Sequence, residues 1–112
     1  GKKFKMTNFI STGSTYWISD EEIQIFEKNA TNGDKNSAFK LYQYHMFVSL
    51  DQDLEFKWLE IAAKNGHPIA QSNLADLFFT QGNKEKAIFW AKKAYRNGAK
   101  LPDELKILIN IN

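Results

Sequence analysis

Apolar residues along most of this chain recur at intervals of three and four, which is the spacing of one face of an α-helix. Six such stretches follow residue 18, and short segments rich in Gly, Asn and Asp separate them. None of the six has the two-residue alternation of a strand. Because short connections make consecutive helices antiparallel neighbours, the pattern predicts an all-α protein of about three antiparallel helical hairpins.

One pattern of residues recurs along the chain at an almost constant spacing. Asn-Gly pairs stand at residues 32–33, 65–66 and 97–98, so the glycines are 33 and then 32 residues apart. Side chains of similar type stand eight residues before each glycine (Ile25, Trp58, Trp90) and three residues before it (Ala30, Ala63, Tyr95). A period in the low thirties is typical of stacked helical hairpins and predicts an α/α solenoid. Each glycine would end a helix in the left-handed conformation, which asparagine tolerates better than most residues.

Several helix starts carry capping signals. Ser19 and Glu22 have the spacing of a capping box, in which each side chain accepts a hydrogen bond from the other residue's amide. Asp51 is the predicted cap of the third helix, and Pro68 suits the first turn of the fourth, where a missing amide costs nothing.

The middle of the chain resembles a Sel-one-like repeat, a relative of the tetratricopeptide repeat. The pattern Trp-x3-Ala-Ala-x2-Gly-x3-Ala-Gln-x2-Leu is met at Trp58, Ala62, Ala63, Gly66, Ala70, Gln71 and Leu74. Residues 90–98 repeat its first half, and residues 25–41 are a degenerate copy. The glycine that usually follows the leucine is replaced by Tyr42 in one copy and Ala75 in the other. The resemblance covers about residues 19–100 and implies a TPR-like array of about two and a half repeats.

The resemblance also suggests a function. Small proteins with few Sel-one-like repeats are similar to bacterial immunity proteins that neutralise secreted antibacterial toxins, including phospholipase effectors of type VI secretion. We therefore expect a non-enzymatic protein-binding module of this kind, with a toxin as its partner. One alternative is a scaffold for signalling or envelope proteins, and another is nucleic-acid binding through the basic segment 84–100.

Six residues are the predicted partner-binding set. Four aromatic side chains fall off the main apolar stripes and would form an exposed apolar patch, unless their helices are buried on two sides. Two basic residues join them from segment 84–100, where six basic residues stand against Glu85, while residues 19–33 carry four acids against Lys28. This asymmetry would orient a charged partner. The set is Phe47, Phe56, Phe79, Phe89, Lys93 and Arg96.

The nucleic-acid alternative depends on aromatic rings that are free to stack on bases. In the basic segment Trp90 and Tyr95 occupy repeat-core positions, which leaves Phe89 alone for that role.

No residue pattern indicates catalysis, a cofactor, a metal or a small-molecule substrate. The chain has no cysteine, and His45 and His67 are expected to be structural. The run from Asp51 resembles the opening of a calcium loop, but Phe56 and Ala62 stand where that loop needs glycine and glutamate.

Two regions are predicted: residues 1–18 as an extended arm and residues 19–112 as the helical repeat domain. Phe4, Phe9, Tyr16 or Trp17 would dock the arm, while a frayed terminus is the alternative for residues 1–8. The first residue is Gly1 rather than Met, which is compatible with removal of a signal peptide and favours the periplasm over the cytoplasm. No apolar run approaches the ~20 residues of a membrane span.

Overall fold

The computed structural model describes residues 15–111, and this part of the chain is all-α without a strand. Six α-helices begin and end within it, and they form three antiparallel hairpins, as predicted. Their bounds are α1 Asp20–Thr31, α2 Lys35–Tyr44, α3 Gln52–Lys64, α4 Pro68–Thr80, α5 Lys84–Arg96 and α6 Asp103–Leu108. A π-helical turn, His45–Ser49, continues α2. Most of the predicted arm lies outside the described residues.

The predicted capping signals are confirmed. The amide of Ser19 donates to Glu22 Oε1 over 3.1 Å, and the amide of Glu22 donates to Ser19 Oγ over 3.2 Å. These hydrogen bonds hold the pKa of the Glu22 carboxyl below its usual value. Asp51 accepts from the amide of Leu54 at the start of α3, and Pro68 is the first residue of α4.

The glycines end their helices in one shared geometry. At Gly66 the glycine amide donates to Ala63 O and the next amide donates to Ala62 O, and the same pair of bonds recurs at Gly33, Gly82 and Gly98. All four glycines have φ between 83° and 105°, the left-handed conformation of a helix C-terminal cap. The preceding asparagines have φ between −82° and −91°, so the left-handed conformation belongs to the glycine alone.

The asparagines connect neighbouring hairpins instead. Asn65 Nδ2 donates to Ala30 O over 3.3 Å, which ties the second hairpin to the first. Asn97 Nδ2 donates to Gln71 Oε1 over 2.9 Å, and Gln71 Nε2 donates to Ala63 O over 3.0 Å. Ala38 stands at the register position of Gln71 in the first hairpin. Where that position is a small alanine, the asparagine (Asn65) bonds directly to the carbonyl of the preceding hairpin. Where it is Gln71, the asparagine (Asn97) bonds to the glutamine side chain, which in turn bonds to the carbonyl of Ala63.

The π-helical turn explains why the two repeat spacings differ by one residue. The distance from the cap residue to the next glycine is the same in the last two copies, Asp51 to Gly66 and Asn83 to Gly98. The extra residue therefore lies between Gly33 and Asp51, and a π turn holds one residue more than an α turn. Leu50 follows this turn with φ of 57°, at the position that Gly82 occupies in the next copy.

Alanines, leucines and aromatic side chains, two tryptophans among them, form the core between the helices. Trp58 and Trp90 are 2% and 9% exposed, and the alanines of α3, α4 and α5 are buried around them. Two residues are exposed although the matching residues of the other copies are buried: Ile25 is 58% exposed and Tyr95 is 50% exposed. Trp58 and Trp90 are on helices that pack against both the preceding and the following helix, whereas α1 packs mainly against the following α2 among the described residues. Tyr95 lies on α5, which only the six-residue α6 follows.

Candidate partner-binding groove

The four predicted aromatic residues lie in different surroundings. Phe47 is half-buried and stacks on Tyr16, with ring centroids 4.7 Å apart. Phe56 is half-buried and packs against the core, whereas Phe79 and Phe89 are 37% and 53% exposed. Within residues 15–111, none of the four rings stacks on another. As a partner-binding set these residues stay a prediction.

The structure brings three of the predicted residues together on α5. Phe89, Lys93 and Arg96 follow the i, i+4, i+7 spacing of one helix face, and Lys93 Nζ lies 5.4 Å from the centre of the Phe89 ring. The Phe89 ring meets Trp90 edge-on at 5.1 Å, which fixes its position above the core. The result is an exposed aromatic ring with cationic neighbours, the α5 face.

A separate feature runs along α4, where three cavities adjoin one another. The largest, about 740 Å³, lies between the start of α4 and the loop 98–102. A second of about 330 Å³ lies between α2, α3 and α4, and a third of about 350 Å³ lies between the start of α3 and the end of α4. We call the three together the α4 groove.

Shared lining residues place the three cavities of the α4 groove side by side. Asn73 and Asp76 line both the first cavity and the second, and Glu55, Leu59 and Leu77 line both the second and the third. The groove therefore follows the whole of α4. With 13 residues at 1.5 Å each, that helix is about 20 Å long.

The walls of the α4 groove combine apolar surface with polar groups. Asn73 Nδ2 donates to the hydroxyl oxygen of Tyr42 over 3.3 Å and so ties α4 to α2 across the groove. Burial raises the pKa of the Tyr42 hydroxyl, which keeps it neutral. Two carboxylates, Glu55 and Asp76, stand where successive cavities meet, and Lys100 lies at the end formed by the loop 98–102.

His67 borders the largest cavity and also begins α4. Its Nδ1 accepts a hydrogen bond from the amide of Ala70 over 3.2 Å, and its ring stacks on Phe39 with centroids 4.0 Å apart. Burial lowers the pKa of this imidazole. Because a neutral Nδ1 can accept that bond and a protonated one cannot, the cap requires the neutral ring.

The second histidine lies away from the groove. His45 is buried in the π-helical turn, and its Nδ1 is 2.7 Å from Ser49 Oγ. Burial lowers its pKa as well. Across residues 15–111 no three His, Asp or Glu side chains are placed to hold a metal ion.

Sequence reasoning missed most of the α4 groove. Its signal was a stripe on α4 opposite the core face, at the spacing of four, three and four residues: Ile69, Asn73, Asp76 and Thr80. Three of these four positions are polar. The residues that complete the groove, such as Tyr42, Glu55 and Lys100, are far away in sequence and carry no such signal.

Comparison with known proteins found one relative. The chain is 33% identical over 95 residues to the uncharacterized protein YibG of Escherichia coli strain K12, an alignment that covers 79% of this chain. It covers 62% of YibG, so the chain spans about three fifths of that protein's length. No family model and no solved structure matches the chain. None of the helices described here is long and apolar enough to cross a membrane.

Proposed function

We propose that the protein is a non-enzymatic protein-binding module, built from Sel-one-like repeats, that takes a segment of its partner into the α4 groove. The observation that carries this proposal is the adjacency of the three cavities, which share lining residues and over about 20 Å offer a long surface rather than a closed pocket. The partner suggested by the resemblance is a secreted antibacterial toxin of the type VI kind, which the protein would neutralise by covering its active site.

The test combines a growth assay with a binding measurement. The product of a neighbouring gene is expressed with and without the protein, and binding of the two purified chains is measured by calorimetry. We expect the protein to restore growth and to form a tight complex. Failure to bind or protect against any such product would remove the immunity proposal.

Variants of exposed residues test the role of the groove in this assay. Ile69→Trp with Thr80→Trp places bulky rings in two of the cavities without changing charge, at positions that are already exposed. We expect loss of binding and of protection. Ile107→Trp, on the exposed side of α6, is the matched control and should behave as the wild type. Full binding by the Ile69/Thr80 variant would contradict the role of the groove.

A second candidate, single-stranded nucleic-acid binding, is favoured by one observation. Tyr95 is half exposed rather than in the core, so α5 offers two aromatic rings, Phe89 and Tyr95, beside Lys92. This function predicts binding to RNA or DNA that weakens steeply as salt rises and that Phe89→Ala reduces. Flat titrations at low salt would remove it.

A further inference from the structure

The chemistry of the α4 groove indicates what kind of segment it takes, an inference that rests on the function proposed above. We propose that the groove binds an extended, basic segment of about six residues, in which two Lys or Arg side chains meet Glu55 and Asp76. The partner's ligand is thus a short cationic stretch of polypeptide rather than a folded surface or an acidic one.

The length of the groove and the size of its smaller cavities suit an extended segment. At about 3.3 Å for each residue, six extended residues match the ~20 Å of α4. An extended chain is narrower than a helix and therefore suits the two smaller cavities, of about 330 and 350 Å³, better.

The charges of the groove favour a basic segment. Glu55 and Asp76 stand at the two junctions between cavities, so a ligand that spans the groove passes both. Within residues 15–111 neither carboxylate has an ion-pair partner, since the one pair there joins Asp103 and Lys106. Among the residues that line the three cavities, Lys100 carries the one positive charge, since His67 is neutral in its capping role, and Lys100 lies at the end, away from the Glu55 junction.

The remaining lining suits a polypeptide backbone. Gln52 and Gln81 in the third cavity and Asn73 between the first two are side-chain amides, which both donate and accept hydrogen bonds. Leu59 and Leu77 provide the apolar surface between them. In the largest cavity Pro68 and Ile69 can contact an apolar side chain at one end of the segment.

Fluorescence anisotropy with labelled hexapeptides tests the proposal on the full chain. The probes carry a leucine, serine spacers and two arginines that are one, two or three residues apart, with both termini blocked. Citrulline counterparts keep the shape and remove the charge. We expect at least one arginine probe to bind ten-fold more tightly than its citrulline counterpart. Because the protein carries a net charge of +2, overall attraction cannot produce this preference.

A pair of double variants locates the binding charges. Glu55→Gln with Asp76→Asn should weaken arginine-probe binding ten-fold or more. Glu60→Gln with Glu85→Gln makes the same change in net charge at residues that line none of the three cavities, and should leave the affinity within two-fold. Circular dichroism confirms that both variants are folded.

Other outcomes would overturn the proposal in distinguishable ways. Equal binding of arginine and citrulline probes, or equal weakening by both double variants, would show that the two carboxylates do not select the ligand. Sedimentation that reveals a dimer abolished by Glu55→Gln with Asp76→Asn would assign the groove to a second copy. If no probe binds but Ile69→Trp with Thr80→Trp still abolishes the partner complex, the groove function stands and the extended basic ligand is wrong.

Discussion

The first hairpin (α1 and α2) and the second (α3 and α4) have the same backbone plan but are held by different side chains. Each begins α-helical structure at a capping residue and ends its first helix at an Asn-Gly pair. Yet Ile25 is mostly exposed where Trp58 is buried, and Ala38 replaces Gln71. The comparison teaches that capping residues and glycines determine where helices begin and end. A few buried side chains determine how much each hairpin contributes to the stability of the protein.

The largest expected difference is between Trp58 and Ile25. Trp58→Ala should lower the free energy of unfolding by about 3–5 kcal/mol, because it removes a large buried side chain. Ile25→Ala should change it by about 0.5 kcal/mol or less, because the side chain is exposed. Urea denaturation measures both. Trp58→Phe is the control that keeps an aromatic ring, and it should cost less than Trp58→Ala. Equal losses in the two alanine variants would show that the hairpins are held alike.

The next effect concerns the hydrogen bonds between hairpins. Gln71→Ala should cost about 1–3 kcal/mol, because it removes two hydrogen bonds, one that Gln71 donates to Ala63 O and one that it accepts from the side-chain amide of Asn97. Asn65→Ala should cost about 1 kcal/mol, since it removes one bond, to Ala30 O.

A double-mutant cycle on Gln71 and Asn97 checks that the relay acts as a unit. A coupling of about 0.5–3 kcal/mol is expected for directly bonded partners. Independent effects of the two substitutions would mean that the relay contributes nothing beyond packing.

Leu50 and Gly82 allow a comparison of opposite sign. Both have positive φ before a capping residue, but only glycine adopts that conformation without strain. Leu50 is 72% exposed, so Leu50→Gly should stabilise the protein by up to about 1 kcal/mol. Gly82→Ala should destabilise it by about 1 kcal/mol, although a Cβ there meets no neighbour within 4 Å. Thermal unfolding measures both, and a loss of stability in Leu50→Gly would contradict the strain argument.

The smallest expected effect is the response of the two equivalent caps to pH. Asp34 begins α2 and His67 begins α4. A hydrogen bond from Ser37 lowers the pKa of Asp34, and burial lowers the pKa of His67. In both cases the unfolded chain binds the proton more readily, so the stability each group contributes is lost as pH falls. That loss begins below about pH 6.5 for His67 and below about pH 4 for Asp34.

His67→Asn isolates the contribution of His67 to the pH dependence of stability, because asparagine caps a helix but does not titrate in this range. Urea denaturation of the variant should lose less stability between pH 7 and pH 5 than the wild type does. The buried His45 has a lowered pKa too, so His45→Gln is the companion variant, which measures the contribution of His45 to the same pH dependence. An unchanged pH response in His67→Asn would show that the cap survives protonation.

Much of the fold could be predicted from the sequence because its signals are local. Ser19 with Glu22, Asp51 and Pro68 each act within one helical turn, and each Asn-Gly pair ends a helix through bonds to the residues just before it. The role of the asparagines was not predictable in this way, because Asn65 and Asn97 bond to residues 35 and 26 positions away.

The candidate site was harder to predict because it depends on distant contacts. The α4 groove gathers residues from α2, α3, α4 and the loop 98–102, and its shape depends on how far the hairpins stand apart. The sequence did indicate Phe56, which lines the third cavity, and Phe89 with Lys93 and Arg96, which share one helix face. It placed Tyr95 in the core, which was wrong because its neighbour α6 has only six residues.

The π-helical turn at His45–Ser49 has a consequence for how such chains can change in length. Inserting one residue into an α-helix rotates everything beyond it by about 100°, which would turn the apolar face of the next helix away from its neighbours. Here the widened turn accommodates the added residue, and Asp51 stands at the same distance before Gly66 as Asn83 stands before Gly98. Alignments of similar repeats should therefore place a one-residue gap inside this turn. Deleting a single residue there should leave the packing of the later hairpins unchanged.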